Sequence, residues 1–236
     1  TTLDKGCLLR GSHMAKHSQK RKGDYFIGVD VGGTKIQFVL TQGTTVIYEG
    51  WRVRTPKRPA TVVGRIVNTF TKIIQKAGIT ADDIGGIGIC LPMAVELDGT
   101  PGRPPNLPDA WLGFSLKAKV EEQLGIPTEV INDGTAVALG ECTRLFPVKA
   151  ERDQKSIVVL SGGTGLACGI TINGHAYLGE DGFAGEGGHV TFDPKLLGIK
   201  QAHRLTCGCG AQGCLEPYVS LSGIKAITER LSLIHI

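Results

Sequence analysis

Tyr25-Phe26-Ile27-Gly28-Val29-Asp30-Val31-Gly32-Gly33-Thr34-Lys35-Ile36-Gln37-Phe38-Val39-Leu40 is the stretch that decides the fold. Tyr25 to Asp30 is a short apolar run closed by Gly32-Gly33, which predicts a buried strand followed by a tight turn. Ile36 to Leu40 and Thr45 to Tyr48 are rich in β-branched and aromatic residues and are separated by Gln42-Gly43. That pattern predicts an antiparallel meander. The rhythm returns later: Ser156 to Leu160 is β-branched, Gly162-Gly163-Thr164-Gly165 is a glycine turn, and Ala167 to Ile172 is a further strand before Asn173-Gly174. Strand, glycine turn, strand therefore occurs twice, about 130 residues apart. Two similar lobes facing each other across a cleft are expected, and such clefts are where small ligands bind.

Between the two occurrences the chain alternates helix and strand. Val62, Val63, Ile66, Val67, Phe70, Ile73, Ile74 and Ala77 recur at helical spacing, with Gly78 as the C-cap. Ile84 to Ile89 predicts a strand, and the Pro- and Gly-rich stretch from Pro92 to Pro108 predicts a loop. A helix through Leu116, Val120 and Leu124 ends at Gly125, and a strand at Glu129–Ile131 leads into Asn132-Asp133 and a helical pattern through Ala136, Val137, Leu139 and Leu145. The expected class is α/β.

The formal net charge of the 236 residues is only +4, and much of the excess sits in Lys16, Lys20, Arg21 and Lys22. No aromatics interleave with that run, so it reads as a solvated leader rather than a nucleic-acid contact. No stretch approaches the ~20 apolar residues of a membrane span, and nothing at the start resembles a secretory signal. A cytoplasmic location is expected. Residues 1–23 read as a disordered leader or tag: Gly11-Ser12-His13-Met14 is either a vector scar or the approach to a true start at Met14. Leu231 to Ile236 fits no cap or turn and reads as adapter sequence. The cysteines are not a disulfide framework. Cys7, Cys90, Cys142 and Cys168 are scattered, and the expectation for each is a small buried hydrophobe.

Four features carry chemistry. In Asp30-Val31-Gly32-Gly33-Thr34-Lys35 the glycines let backbone N–H groups approach a phosphate, and Thr34 and Lys35 add a hydroxyl and a charge. Asp30, at the strand end, can hold Mg²⁺ through water. The spacing is not that of a Walker loop. Gly163-Thr164-Gly165 repeats the device, so two opposed turns can clamp one nucleotide triphosphate. Asp133 is either the N-cap of the helix that follows it or a general base within reach of an attacking hydroxyl.

Cys207-Gly-Cys209-Gly-Ala-Gln-Gly-Cys214 is the most specific signal in the chain. Three thiols among small residues can converge on one tetrahedral Zn²⁺, given a fourth ligand. His189, on the turn Gly187-Gly188-His189, is the first choice for that ligand and His203 the rival. A site using all four would leave no open position and would be structural. Glu186 and Glu216 flank the ligands and are suited to accept sugar hydroxyls.

Together these motifs resemble the ROK family of sugar kinases and sugar-responsive repressors. The matching residues are Asp30–Lys35, Pro105-Asn106-Leu107-Pro108 with Trp111, Asn132-Asp133 with Ala138-Leu139-Gly140-Glu141, Gly163-Thr164-Gly165, Ala184-Gly185-Glu186-Gly187-Gly188-His189, and Cys207 to Glu216. The resemblance implies a two-lobed actin-like (ribonuclease H-like) ATPase fold: an N-terminal α/β lobe over 24–131 and the start of a larger C-terminal lobe over 132–236. It implies that Asp133 is the catalytic base, and that Asn106, Asn132, Asp133, Glu186, His189 and Glu216 hold the sugar. It further implies that Asp30, Gly32, Gly33, Thr34, Lys35, Gly163, Thr164 and Gly165 hold ATP phosphates, and that His189, Cys207, Cys209 and Cys214 hold zinc. The implied reaction is ATP- and Mg²⁺-dependent phosphorylation of glucose in a homo-oligomer. N-acetylhexosamine or fructose are alternative substrates, and a repressor is the alternative of another class. Four departures stand out. Gly134 and Thr135 follow Asp133 where the family has Ala-Asn, and Ala167 and Cys168 intrude in the second phosphate loop. The interval from His189 to Cys207 is long. An adenine-binding segment and closing helices are expected after Ser220, so the chain reads as C-terminally truncated, with an incomplete second lobe.

Overall fold

The computed structural model describes residues 23–102, 108–197 and 205–234, with side chains described through Glu229. Residues 1–22, Asn106 and His203 lie outside the described residues.

Alternating apolar residues in the first part of the chain form a five-stranded sheet. β1 (Tyr25–Val31), β2 (Lys35–Gln42) and β3 (Thr45–Arg54) are followed by α1 (Pro59–Ala77), β4 (Ile84–Leu91), α2 (Leu116–Leu124) and β5 (Thr128–Asn132). The spatial order is β3-β2-β1-β4-β5. β1, β2 and β3 pair antiparallel as a meander, with Val29 opposite Phe38, while β1–β4 and β4–β5 are parallel. Helical crossovers are what join parallel neighbours, and α1 and α2 supply them.

One face of this sheet is the core. Ile27, Val29 and Val31 of β1, Ile36, Phe38 and Leu40 of β2, and Ile87 and Ile89 of β4 are buried in one cluster with Val62, Val63, Ile66, Phe70 and Ile73 of α1 and Leu116 and Val120 of α2. Gly78 closes α1 in the left-handed region (φ 68°), with the Ile79 N–H bonded back to the Ile74 carbonyl. The opposite face carries Gly28, Asp30, Gln37, Val39, Gly88, Cys90, Glu129 and Ile131, which line an open trough of ≈ 700 Å³ together with Ala136 and Leu139.

The second sheet follows α3 (Asp133–Leu145) and a short helix, α4 (Lys149–Arg152). It consists of β6 (Ile157–Gly162), β7 (Leu166–Ile172) and β8 (His175–Ala176), antiparallel in the order β6-β7-β8. The β7–β8 hairpin turns at Asn173-Gly174, with φ 52° and 75°, the pair of positive angles a two-residue primed turn requires. α3 packs on β6 and β7. The approach is close enough that a Cβ on Gly169 would lie 2.0 Å from the Gly134 carbonyl oxygen.

α5 (Glu216–Val219) and α6 (Leu221–Ile234) complete the described chain. α6 runs through Leu231 to Ile234, which the sequence had marked as adapter sequence outside the fold. Among the described residues no helix is long and apolar enough to cross a membrane.

Candidate active site and metal centre

Asp133 stands at the junction of the two sheets, where β5 gives way to α3. The N-cap of α3 is Asn132, not Asp133: the Asn132 Oδ1 accepts from the Thr135 N–H at 3.2 Å. Asn132 also donates from Nδ2 to the Met93 carbonyl (3.1 Å), which fixes the junction from the other side. Asp133 is left as the first helical residue. Its Oδ1 accepts the Gly134 N–H (2.8 Å). Burial pushes its pKa up, partly opposed by the Gly134 hydrogen bond, and the like charge of Asp30 pushes it up further.

Asp30 faces Asp133 from the end of β1. Its Oδ2 accepts from Gln37 Nε2 (3.2 Å) and its Oδ1 from the Cys90 thiol (3.6 Å). Cys90 therefore does not behave as a plain core hydrophobe. Burial, then the charges of Asp30 and Asp133, hold its pKa far above the usual thiol range. Cys142 and Cys168 are buried as expected.

The two glycine turns are held differently. In the first, the Gly32 N–H bonds the Lys35 carbonyl (3.0 Å) and Thr55 Oγ1 donates to the Gly32 carbonyl (2.7 Å). In the second, the Gly163 N–H bonds the Gly165 carbonyl (2.9 Å), and Glu216 Oε2 accepts the Leu166 N–H at 2.9 Å. Gly32, Gly33, Gly163 and Gly165 all lack a positive φ. A Cβ on Gly163 would meet nothing within 4 Å, so the lack of a side chain is required by packing at Gly165 rather than along the whole turn. Gly165 needs it because a Cβ there would lie 2.5 Å from Glu216 Oε2.

Glu186 lies close enough to Asp133 and Glu216 to feel their charges. Burial raises its pKa first; His189 lowers it, and Asp133 and Glu216 raise it. Asp30, Asp133, Glu186 and Glu216 thus form a chain of carboxylates close enough to feel one another, with His189 at one end. Glu186 Oε2 lies 3.5 Å from His189 Nε2.

The other ring nitrogen of His189 faces the cysteines. His189 Nδ1 is 3.5 Å from Cys207 Sγ, Cys209 Sγ is 3.8 Å from Cys214 Sγ, and all four donor atoms lie within 4.8 Å of one another. A tetrahedron with Zn–S of ~2.3 Å and Zn–N of ~2.0 Å has S···S edges of about 3.8 Å and S···N edges of about 3.5 Å. The donor set fits zinc in kind and in spacing. Burial pushes the Cys207 thiol up to about 12, while the Ala211 N–H lowers Cys209. The loop is itself braced: Phe192 N–H bonds the Gly213 carbonyl (2.7 Å) and Leu215 N–H bonds the Val190 carbonyl (3.0 Å).

Comparison with known proteins matches residues 26–233 to the ROK family. The chain belongs to the ROK family. It is 33% identical over 206 residues to a glucokinase of Halalkalibacterium halodurans, covering 86% of this chain and 58% of that protein. It is 30% identical over 217 residues to the xylose repressor of Bacillus subtilis, covering 90% of this chain and 53% of the repressor. Among solved structures, a ROK family glucokinase from Streptomyces griseus in complex with glucose and AMPPNP superposes with a TM-score of 0.66 at 30% identity. That match covers 85% of this chain and 58% of the other. The chain thus spans a little over half the length of these ROK relatives. Its fold is the α/β, actin-like ATPase fold of the ROK sugar kinases.

Two of the departures from the ROK pattern meet in space. A Cβ on Gly134 would lie 2.7 Å from the Cys168 carbonyl oxygen, and one on Gly187 would lie 3.4 Å from Cys168 Sγ. Gly134 makes room for the strand that carries Cys168. Several site residues were missed by sequence reasoning: Gln37, Thr55, Cys90 and Ser222, whose Oγ donates to the Thr164 carbonyl. Cys90 and Gln37 had a signal, since each falls on the same face as Asp30 when strand alternation is counted. Thr55 and Ser222 had none.

Proposed function

We propose that this ROK chain carries the sugar-binding and phosphate-binding elements of an ATP-dependent hexose kinase, with glucose as the substrate. The observation that carries this reading is the position of Asp133, on a helix start between two sheets, raised in pKa by burial and facing Asp30 on one side and Glu186 on the other. The glucose- and AMPPNP-bound relative supports it.

In this mechanism Glu186, Glu216, His189 and Asn132, with Asn106, accept and donate to sugar hydroxyls, and Asp133 takes the proton from the attacking one. A buried carboxylate with a raised pKa is the stronger base for that step. The glycine turns offer N–H groups to the phosphates on the other side, and positioning supplies most of the rate. Asp30, held at both oxygens, is the group suited to Mg²⁺ through its waters; the ion would neutralise charge on the phosphates. Zinc on His189, Cys207, Cys209 and Cys214 would fix the loop that presents Glu186 and Glu216. The corresponding division of the chain is an N-terminal lobe over 24–131 and a second lobe from 132 onward.

Replacing Asp133 by Ala is expected to lower ADP release with glucose by about 10²- to 10⁴-fold and to leave glucose affinity, measured by calorimetry, largely unchanged. Retained turnover would assign the base elsewhere. A panel of glucose, N-acetylmannosamine, N-acetylglucosamine and fructose in the same assay names the sugar. A second reading, a sugar-responsive repressor, is supported by the similarity to the xylose repressor. Sugar-dependent DNA binding in a gel shift, with no ADP release on any sugar, would select it.

A further inference from the structure

The second glycine turn makes its outer contacts with a single stretch of chain that begins two residues after the candidate metal ligand Cys214. Glu216 Oε2 takes the Leu166 N–H at 2.9 Å, across fifty residues of sequence. The Leu221 N–H bonds the Gly163 carbonyl at 2.9 Å. Ser222 Oγ donates to the Thr164 carbonyl. Ser220, in turn, accepts the Gly223 N–H at 3.1 Å and so starts α6 with the Ser222 side chain aimed at the turn. Every residue from Gly163 to Leu166 is touched: two carbonyls are capped, one N–H is taken, and Gly165 lies flush on the Glu216 carboxylate. The first turn is likewise capped at two carbonyls, Gly32 and Thr34, both by Thr55, but among the described residues no carboxylate takes one of its N–H groups as Glu216 does here.

We propose that Glu216 and Ser222 are positioning residues for the second phosphate turn, so that the segment carrying the metal loop also sets the backbone that receives the nucleotide. A carbonyl capped by a donor cannot rotate inward. Capping Gly163 and Thr164 from outside therefore keeps their oxygens away from an anion and turns the intervening N–H groups toward it, the arrangement an oxyanion or phosphate needs. The same carboxylate has two oxygens with different tasks. Oε2 is committed to Leu166, while Oε1 lies 3.5 Å from the Cys207 sulfur, beside the candidate metal donors. Sugar and nucleotide then share one rigid strut, and filling either site stiffens the other.

The inference rests on the kinase reading only for the identity of the anion on the turn, and the test separates the two. Amide hydrogen exchange would be followed in Ser222→Ala, Ser222→Thr, Glu216→Ala and Glu216→Gln, with AMPPNP and glucose affinities measured for each. Ser222→Ala and Glu216→Ala are expected to speed exchange at residues 163–166 by about fivefold, the size of one net hydrogen bond. The rest of β6 and β7 should be unchanged. Ser222→Thr and Glu216→Gln keep a donor and an acceptor and should restore protection. Ser222→Ala should weaken AMPPNP by a similar factor without moving glucose affinity. Unchanged exchange at the turn, or acceleration spread evenly over both strands, would overturn the proposal whatever the chain binds. Local acceleration in a chain that binds neither AMPPNP nor glucose would uphold the strut and count against the kinase reading.

Discussion

β1 and β6 are alike in sequence and unlike in circumstance. Both are short apolar strands that run into a glycine turn and a second, antiparallel strand. β1 has β2 on one side and β4 on the other, and its Val29 is 3% exposed. β6 is at the edge of its sheet, and Val158 and Leu160 are 64% and 66% exposed. Composition thus says that a strand is apolar, while what packs on each face of its sheet says how much of it is buried. The two turns differ in the same way. The first is held from the end of β3, close in sequence; the second is held from a segment fifty residues on. Both turns have two carbonyls capped from outside; the second adds a carboxylate, Glu216, on a backbone N–H.

The sharpest way to break this comparison is a pair of matched truncations. Leu40→Ala in β2, fully buried, is expected to cost about 2–5 kcal/mol of stability in denaturant titrations, and Leu160→Ala in β6 about 0.5 kcal/mol or less. Equal costs would mean that the outer face of β6 is covered in solution. A smaller effect separates the two turns. Thr55→Val removes the hydroxyl that caps the Gly32 carbonyl and should cost about 0.5–1.5 kcal/mol, with amide exchange accelerated at residues 32–35 and not at 163–166. The smallest effect is a shift in pH. Asp133 must be ionised to act as a base, so ADP release should fall as pH drops through its raised pKa, higher than an ordinary carboxylate would place it. Removing the like charge with Asp30→Asn lowers that pKa. The acid limb of the pH–rate profile should therefore move to lower pH, and a limb that stays or rises would show that Asp30 and Asp133 do not interact.

Much of the first sheet was legible. The alternation of Ile27, Val29 and Val31, the spacing from Val62 to Ile73 and the cap at Gly78 are local patterns, and each element appears where its pattern lies. The repeat of strand, glycine turn and strand was legible too. The end of α6 was not, because a helix without caps carries no stop signal of its own. At the site, Asp133 could be singled out from its neighbours, but its role as cap or base could not be separated. Asn132 takes the cap, and that depends on which side chain the junction turns inward. Cys90 looked like filler because nothing in its own neighbourhood names Asp30, sixty residues earlier.

The sequence by itself determined the strands and helices of the first sheet, the strand–turn–strand of the second, and the three thiols set among small residues, since each depends on neighbours a few positions away. Only the tertiary structure brought His189 within reach of those thiols, set Asp30, Asp133 and Glu186 close enough to feel one another's charge, and carried Glu216 to the second turn. Such contacts join segments whose distance along the chain says nothing about their distance in space, and packing of the sheets and helices is what brings them together.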